Sequence, residues 1–354
     1  MENSDMISEV KAIRDFLGSQ VTIAAHHYQH PDIIACADIV GDSYGLAVST
    51  ASSSAAYIIF CGVQFMAESA RVLAKPGQHV LLPRLDAGCP MADMITRRQA
   101  AAVLQLIEDI TGAAPVPVVY MNSSSEAKSL AGERGGSVCT SSNAVKVVRE
   151  YLEEGRSIFF FPDQHLGRHT AKMLHMAPQS TAMVSSDFSL ACQGDEKLAR
   201  MFLYDGWCEV HQHFLPEDVA AFRTRHPEST VMVHPECMEE VALMADMIGS
   251  TDHILRAVSS APAGSVIGIG TESTFVHRLA SEHPDKIIVP LRESPCEDMC
   301  RTSLSNLLST LREVLDHHDR GIPLRREVTV DDKVARGARR ALETMIQITD
   351  GVKL

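Results

Sequence analysis

Three apolar runs along the chain end in the same way. Residues 21–28 (Val-Thr-Ile-Ala-Ala-His-His-Tyr), 116–122 (Val-Pro-Val-Val-Tyr-Met-Asn) and 231–237 (Val-Met-Val-His-Pro-Glu-Cys) each close on two polar side chains separated by one position. The pairs are His26 with Tyr28, Tyr120 with Asn122, and His234 with Glu236. Side chains two apart on a strand share a face, so each pair leaves the carboxyl end of its strand on one side. Near-continuous apolar runs predict strands buried on both faces of a parallel sheet, and ligands of open α/β sheets bind just beyond such carboxyl ends.

The stretches between these runs repeat a common order. After each comes a helical stretch and a turn rich in hydroxyls: Gly41-Asp42-Ser43, Cys139-Thr140-Ser141-Ser142-Asn143 and Gly249-Ser250-Thr251. A second strand follows (57–62, 157–161, 265–270), and each third closes on a cysteine, Cys89, Cys208, or one of Cys296 and Cys300. Strands alternating with helices predict parallel sheets covered by helices on both faces. The fold class expected is α/β, with three similar domains whose parallel sheets carry helices on both faces. Residues 1–97, 98–212 and 213–303 form the domains, and residues 304–354 form helices that pack back on the first.

The middle third is longer, with 119 positions from Cys89 to Cys208 against 88 from Cys208 to Cys296. Its excess falls in 172–197, where no clear period exists, and reads as an inserted loop or lid.

Composition narrows the partners. The 354 residues carry 32 basic and 45 acidic side chains, a formal charge of −13, with no basic stripe. Nucleic acid and anionic membrane surfaces are poor partners for such a chain, and a small molecule is favoured. No apolar run approaches the roughly 18 residues that span a bilayer, and no export signal is recognisable, so a cytoplasmic location is expected. Nine widely spaced cysteines then read as reduced thiols rather than a disulfide framework.

If the repeat aims equivalent groups at one centre, three thiolates converge there. Three sulfur ligands describe either a structural metal short of one ligand or a 4Fe-4S cluster with one open iron. The serines and threonines of the three turns are either helix caps or, with free backbone N–H groups, holders of carboxylate or phosphate. Gly264 to Gly270 lacks the third glycine of a dinucleotide-binding loop.

At this point the chain resembles the quinolinate synthase family. The resemblance spans about 21–311 and rests on Ala-His-His-Tyr with Gly-Asp-Ser, Gly-Cys-Pro, Tyr-Met-Asn-Ser-Ser, Cys-Thr-Ser-Ser-Asn-Ala, Pro-Asp-Gln-His-Leu-Gly, Cys-Glu-Val-His, Val-His-Pro-Glu-Cys and Gly-Thr-Glu. It implies three pseudo-threefold-related three-layer αβα domains around a central 4Fe-4S cluster held by one cysteine per domain, here Cys89, Cys208 and Cys296. The last is chosen because the family's methionine at +3 and leucine at +8 both follow Cys296, whereas Ser303 stands at +3 from Cys300. It further implies that His26, Ser43, Tyr120, Asn122, Ser141, His211, His234, Glu236 and Thr251 bind substrate, and that Tyr28, Tyr120, His234 and Glu236 are catalytic. The family reaction condenses iminosuccinate (iminoaspartate) with dihydroxyacetone phosphate to quinolinate, phosphate and water in NAD biosynthesis, and coupling to an aspartate oxidase or dehydrogenase that makes the imine is expected. Tyr44, where leucine usually follows Gly-Asp-Ser, and the missing glycine two residues before Cys208 depart from the family pattern. An iron-sulfur hydro-lyase of another substrate and a non-catalytic iron-sulfur dicarboxylate sensor are the competing readings.

Overall fold

In the computed structural model, which describes residues 3–351, the three apolar runs begin three separate sheets. The first contains β1 (Val21–His26), β2 (Ile39–Gly41), β3 (Tyr57–Cys61) and β4 (His79–Leu81) in the order β2-β1-β3-β4. The middle one contains β5 (Val116–Tyr120), β6 (Ser137–Cys139), β7 (Ile158–Phe161), β8 (Thr181–Val184), β9 (Leu190–Cys192) and β10 (Met201–Tyr204), ordered β6-β5-β7-β10-β8-β9. The third contains β11 (Thr230–Val233), β12 (Met247–Ile248), β13 (Val266–Gly270) and β14 (Ile287–Pro290) in the order β12-β11-β13-β14. Leaving out β8 and β9, all three share one order: second strand, first, third, fourth. The α/β class and the threefold repetition expected from the alternation of strands and helices are what the structure has.

Every named pairing is parallel except β8 with β9. Helices cover both faces, so β3, β5, β7 and β10 are buried at every position and need apolar residues throughout rather than in alternation. The run Ile158–Phe161 puts three consecutive phenylalanines into this interior, each fully buried.

The segment 172–197 is not an irregular loop. It supplies β8, which pairs with β10, and β9, which returns antiparallel to β8 and extends the sheet edge. Strands this short fall below the length at which alternation can be read from sequence.

The tail divides between two units, which corrects the expectation that both of its helices pack on the first. Helix Leu304–Arg320 lies against helix Asn3–Leu17 and β3. Its Leu307, Leu308, Leu311 and Val314 join Val10, Ile13 and Leu17 in one apolar cluster. Helix Asp332–Asp350 instead packs chiefly on helix Ser125–Glu133 and β6 of the middle unit, touching the first through helix Gln64–Leu73. Two glycines make that approach: a methyl at Gly132 would sit 2.0 Å from the Gly337 carbonyl oxygen.

Candidate active site

Two of the three strand-end pairs are built by a shared local turn. The Tyr28 backbone N–H donates to Nδ1 of His26 at 3.2 Å, and the Glu236 N–H reaches Nδ1 of His234 at 3.4 Å. A ring nitrogen that accepts carries no proton, so in both rings the proton sits on Nε2. Burial lowers His26 to about 3, aided by repulsion from His27 and His234, and burial likewise lowers His234 to about 3. Both rings are neutral at pH 7, and each has one N–H to offer a ligand.

A cavity of about 390 Å³ lies where the carboxyl ends of β1, β5 and β11 come together. His26, Tyr28, Tyr120, Asn122, His234 and Glu236 all line it, and so does His211 from helix Glu209–Gln212. Ser43, Ser141 and Thr251 line it from the three turns, and Cys89, Cys208 and Cys296 from the three chain segments that follow the sheets. Every site residue expected from the sequence thus reaches one cavity. Among its lining residues none comes from 172–197, so the lid expected there is corrected: the segment is committed to the far edge of the middle sheet.

A polar chain crosses the three units through this cavity. The Tyr28 hydroxyl lies 2.9 Å from Thr271 Oγ1 and accepts from Thr251 Oγ1 at 3.2 Å. Thr271 Oγ1 is 3.0 Å from Nε2 of His211, whose Nδ1 stands 2.7 Å from Glu236 Oε2 in poor alignment for a hydrogen bond. The Tyr120 hydroxyl donates to the other carboxylate oxygen of Glu236. Burial pushes the Glu236 carboxyl up, but His234, His211 and the Tyr120 hydroxyl act against it and hold the group below the usual carboxylate range. Burial and the negative Glu236 keep both tyrosines well above their ordinary values. The result is one buried anion beside two protonated phenols.

Thr271 is the residue the sequence reading missed. It follows β13 as Glu236 follows β11, and a polar group just past the second long strand of the middle and last thirds is the available signal: Pro162-Asp163 after β7 and Thr271-Glu272 after β13. Glu272 is buried too, and its carboxylate accepts from the backbone of Phe275 and, at 3.3 Å, from that of Cys296. Asp163 caps helix Gln164–Met173, and burial, then Glu236, raise its carboxyl well above normal.

The hydroxyl turns divide their labour. Asp42 and Ser250 cap helices Ser43–Ser52 and Thr251–Ser260 by accepting from the N–H three residues on. That leaves Ser43 and Thr251, each the first residue of its helix, facing the cavity. In the middle unit Asn143 accepts from Thr140 N–H at 2.7 Å, Ser142 donates to Asp42, and Ser141 faces the cavity. Capping and cavity-facing groups are therefore neighbours in sequence.

The cysteines repeat as closely. Cys89, Cys208 and Cys296 each stand in extended backbone immediately before a one-turn helix: Pro90–Asp93, Glu209–Gln212 and Glu297–Cys300. None is in a disulfide. Burial pushes Cys89 and Cys296 up to about 12 and Cys208 well above its ordinary value, while backbone N–H groups of Ala92, Met299 and His211, three residues on, act against it. Three half-buried thiols lining one cavity stay protonated without a cation, and a cation bound among them reverses that preference. Cys300, one turn beyond Cys296, is exposed and outside the cavity. A second set capable of holding a metal ion overlaps the first: Cys208, His211 and Glu236 bring one ligand atom each within 4.8 Å of the others.

No helix of the described residues is long and apolar enough to cross a membrane. The family model described as Quinolinate synthetase A protein matches residues 7–347. Among curated relatives, quinolinate synthase of Listeria monocytogenes is 39% identical over 353 residues, covering 99% of this chain and 95% of its own. That of Herpetosiphon aurantiacus is 40% identical over 338 residues (94% and 89%), and that of Bacillus subtilis 38% identical over 353 (99% and 95%). With a family model across nearly its whole length and relatives of this similarity end to end, the chain belongs to the quinolinate synthase family.

Proposed function

We propose that this chain condenses iminosuccinate with dihydroxyacetone phosphate, releasing quinolinate, phosphate and two waters. The observation that carries the reading is the single cavity in which three equivalent cysteines face three strand-end polar pairs. Cys89, Cys208 and Cys296 are the residues to hold a 4Fe-4S cluster: one comes from each unit, all are free, and all occupy the same position before a short helix. The Cys208, His211 and Glu236 set fits a resident metal less well, because His211 and Glu236 are already engaged with Thr271 and Tyr120. A cluster held by these three thiolates would supply a Lewis acid for loss of water from a substrate hydroxyl.

The chain's own groups do the rest. Glu236, anionic and in contact with the Tyr120 hydroxyl, accepts a proton during enamine formation and dehydration. His26 and His234, neutral with their protons on Nε2, donate to developing negative oxygen without adding a charge. Ser43, Ser141 and Thr251, with two of them at helix N-termini, hold carboxylate and phosphate groups. Tyr28, bonded to Thr251 and Thr271, and Asn122, whose side-chain oxygen is buried without a partner, orient the substrate. Nine free cysteines suit a reducing cytoplasm. An aspartate oxidase or dehydrogenase is the class of enzyme that supplies the unstable imine.

The test is anaerobic purification, iron and sulfide analysis, and an assay with iminosuccinate generated in place. Iron and sulfide at about four each per chain, with quinolinate formed only when dihydroxyacetone phosphate is present, is the expected result. Turnover that ignores dihydroxyacetone phosphate indicates a hydro-lyase, and a cluster without turnover a sensor. Anaerobic protein without iron or sulfide overturns the reading.

A further inference from the structure

Behind the cavity wall, a buried arginine joins the first unit to the third. Arg278, on helix Ser273–Glu282, is 7% exposed, and its Nη2 lies 3.2 Å from Nδ1 of His27. On the other side of the ring, Nε2 of His27 lies 2.8 Å from Asp252 Oδ1. A guanidinium has five N–H donors and no acceptor. Nδ1 of His27 must therefore accept, and Nε2 must carry the proton given to Asp252. The hydrogen bond from His27 also holds Asp252 below its ordinary value. Phe275 packs beside both partners, 5.6 Å from the His27 ring and 5.4 Å from the guanidinium.

The two ends of this bridge bear on the site. His27 stands between His26 and Tyr28 at the end of β1, and Asp252 directly follows Thr251, the first residue of its helix. We infer that Arg278 is a positioning residue: it fixes the direction of the His27–Asp252 hydrogen bond and so holds the β1 end, with His26 and Tyr28, in register with Thr251 across the cavity. The Tyr28–Thr251 hydrogen bond crosses the same boundary and depends on that register. None of the bridging residues, His27, Asp252 and Arg278, lines the cavity, so the effect is exerted through the two chain segments they fasten.

This inference rests on the proposed synthase reading, and its test separates the two. Arg278→Met, Arg278→Lys, His27→Leu and Glu282→Gln are prepared anaerobically beside the wild type, with iron, sulfide and melting temperature measured for each. In Arg278→Met and His27→Leu, kcat falls at least tenfold with KM changed less than threefold and cluster content unchanged. Arg278→Lys, which can still donate to Nδ1, recovers most of the rate. Glu282→Gln, which breaks only the outer ion pair of Arg278, behaves as wild type. The double variant Arg278→Met with His27→Leu is no slower than either single variant. Hydrogen exchange rises together at 26–28 and 250–252 in both single variants, a readout that needs no turnover. Wild-type kcat in Arg278→Met, multiplicative losses in the double variant, or exchange confined to one segment overturns the inference. If Arg278→Met fails to fold, His27→Leu, which leaves the Arg278–Glu282 pair intact, decides it alone. A wild type with no synthase activity but coupled exchange overturns the reaction assigned and leaves the fastening in place.

Discussion

Tyr28 and Thr271 meet hydroxyl to hydroxyl at 2.9 Å, 243 positions apart in sequence, and this contact ties the first unit to the third beside the cavity. Thr271 also meets His211, so one methyl-bearing hydroxyl links the phenol of one strand end to the imidazole beside Glu236. Its position is fully buried, where no water substitutes for a lost partner. Thr271→Val keeps the shape and removes the link. Each buried hydrogen bond lost costs about 1 kcal/mol of stability, and kcat falls by roughly one to two orders of magnitude, as expected when proton-transfer groups lose their alignment. Thr271→Ser restores the hydroxyl and most of the rate. Steady-state kinetics beside a urea melt checks both halves.

Cys296 and Cys300 are one helical turn apart, yet only Cys296 lines the cavity. Its backbone N–H is held by Glu272, and Asp298 in the same segment accepts from Gly88 N–H next to Cys89, so the two cysteine-bearing loops are tied together. Iron and sulfide are therefore expected to be lost in Cys89→Ser, Cys208→Ser and Cys296→Ser and retained in Cys300→Ser. Retention in Cys296→Ser with loss in Cys300→Ser reverses the assignment.

Lys128 gives a pH signature from outside the cavity lining. It is fully buried, its ammonium donating to Ser123 O, Ser69 Oγ and Phe65 O. Burial lowers it to about 7 from 10.5. Between those values the unfolded chain holds the proton and the folded chain sheds it. Stability from this group therefore rises with pH above about 7 and is lost as pH falls from 10.5 towards 7. The expected slope is about 1.4 kcal/mol per pH unit, and it is absent in Lys128→Met. Urea midpoints at pH 7.5 and 9.5 for both proteins measure the difference.

The three strand ends were legible because a period of two needs no tertiary information: His26 and Tyr28 must share a face wherever the strand lies. The cysteines were legible only through their place in the repeat. Choosing Cys296 over Cys300 needed the family resemblance, since both follow the same strand. Thr271, Arg278 and Glu272 act through partners more than 20 residues away in sequence, and a threonine or an arginine inside a helical stretch carries no local mark of such a partner. The second tail helix was misplaced for the same reason. Its apolar stripe says that it packs, and only the glycine on the facing helix says where.

That facing pair supplies a last prediction. A Cβ built on Gly132 meets the Gly337 carbonyl oxygen at 2.0 Å and the Ala341 nitrogen at 2.9 Å, both backbone atoms that no rotamer change can move. Gly337 in turn faces Ser129, whose side-chain oxygen is 2.2 Å from its ideal Cβ and whose carbonyl oxygen is 2.8 Å away. Alanine at 132 must push helix Asp332–Asp350 off helix Ser125–Glu133, opening the apolar contacts of Ala338, Ala341, Leu342 and Met345. Overpacking a tight core costs about 1–3 kcal/mol, and a backbone clash belongs at or above the upper end. The helix propensity of alanine returns about 1 kcal/mol, which does not offset it. Gly132→Ala is therefore expected to lower the urea midpoint and to raise hydrogen exchange along 338–346, while the cluster content of anaerobic protein stays unchanged because no cavity residue lies on either helix. A midpoint at or above wild type shows that the two helices can separate without loss.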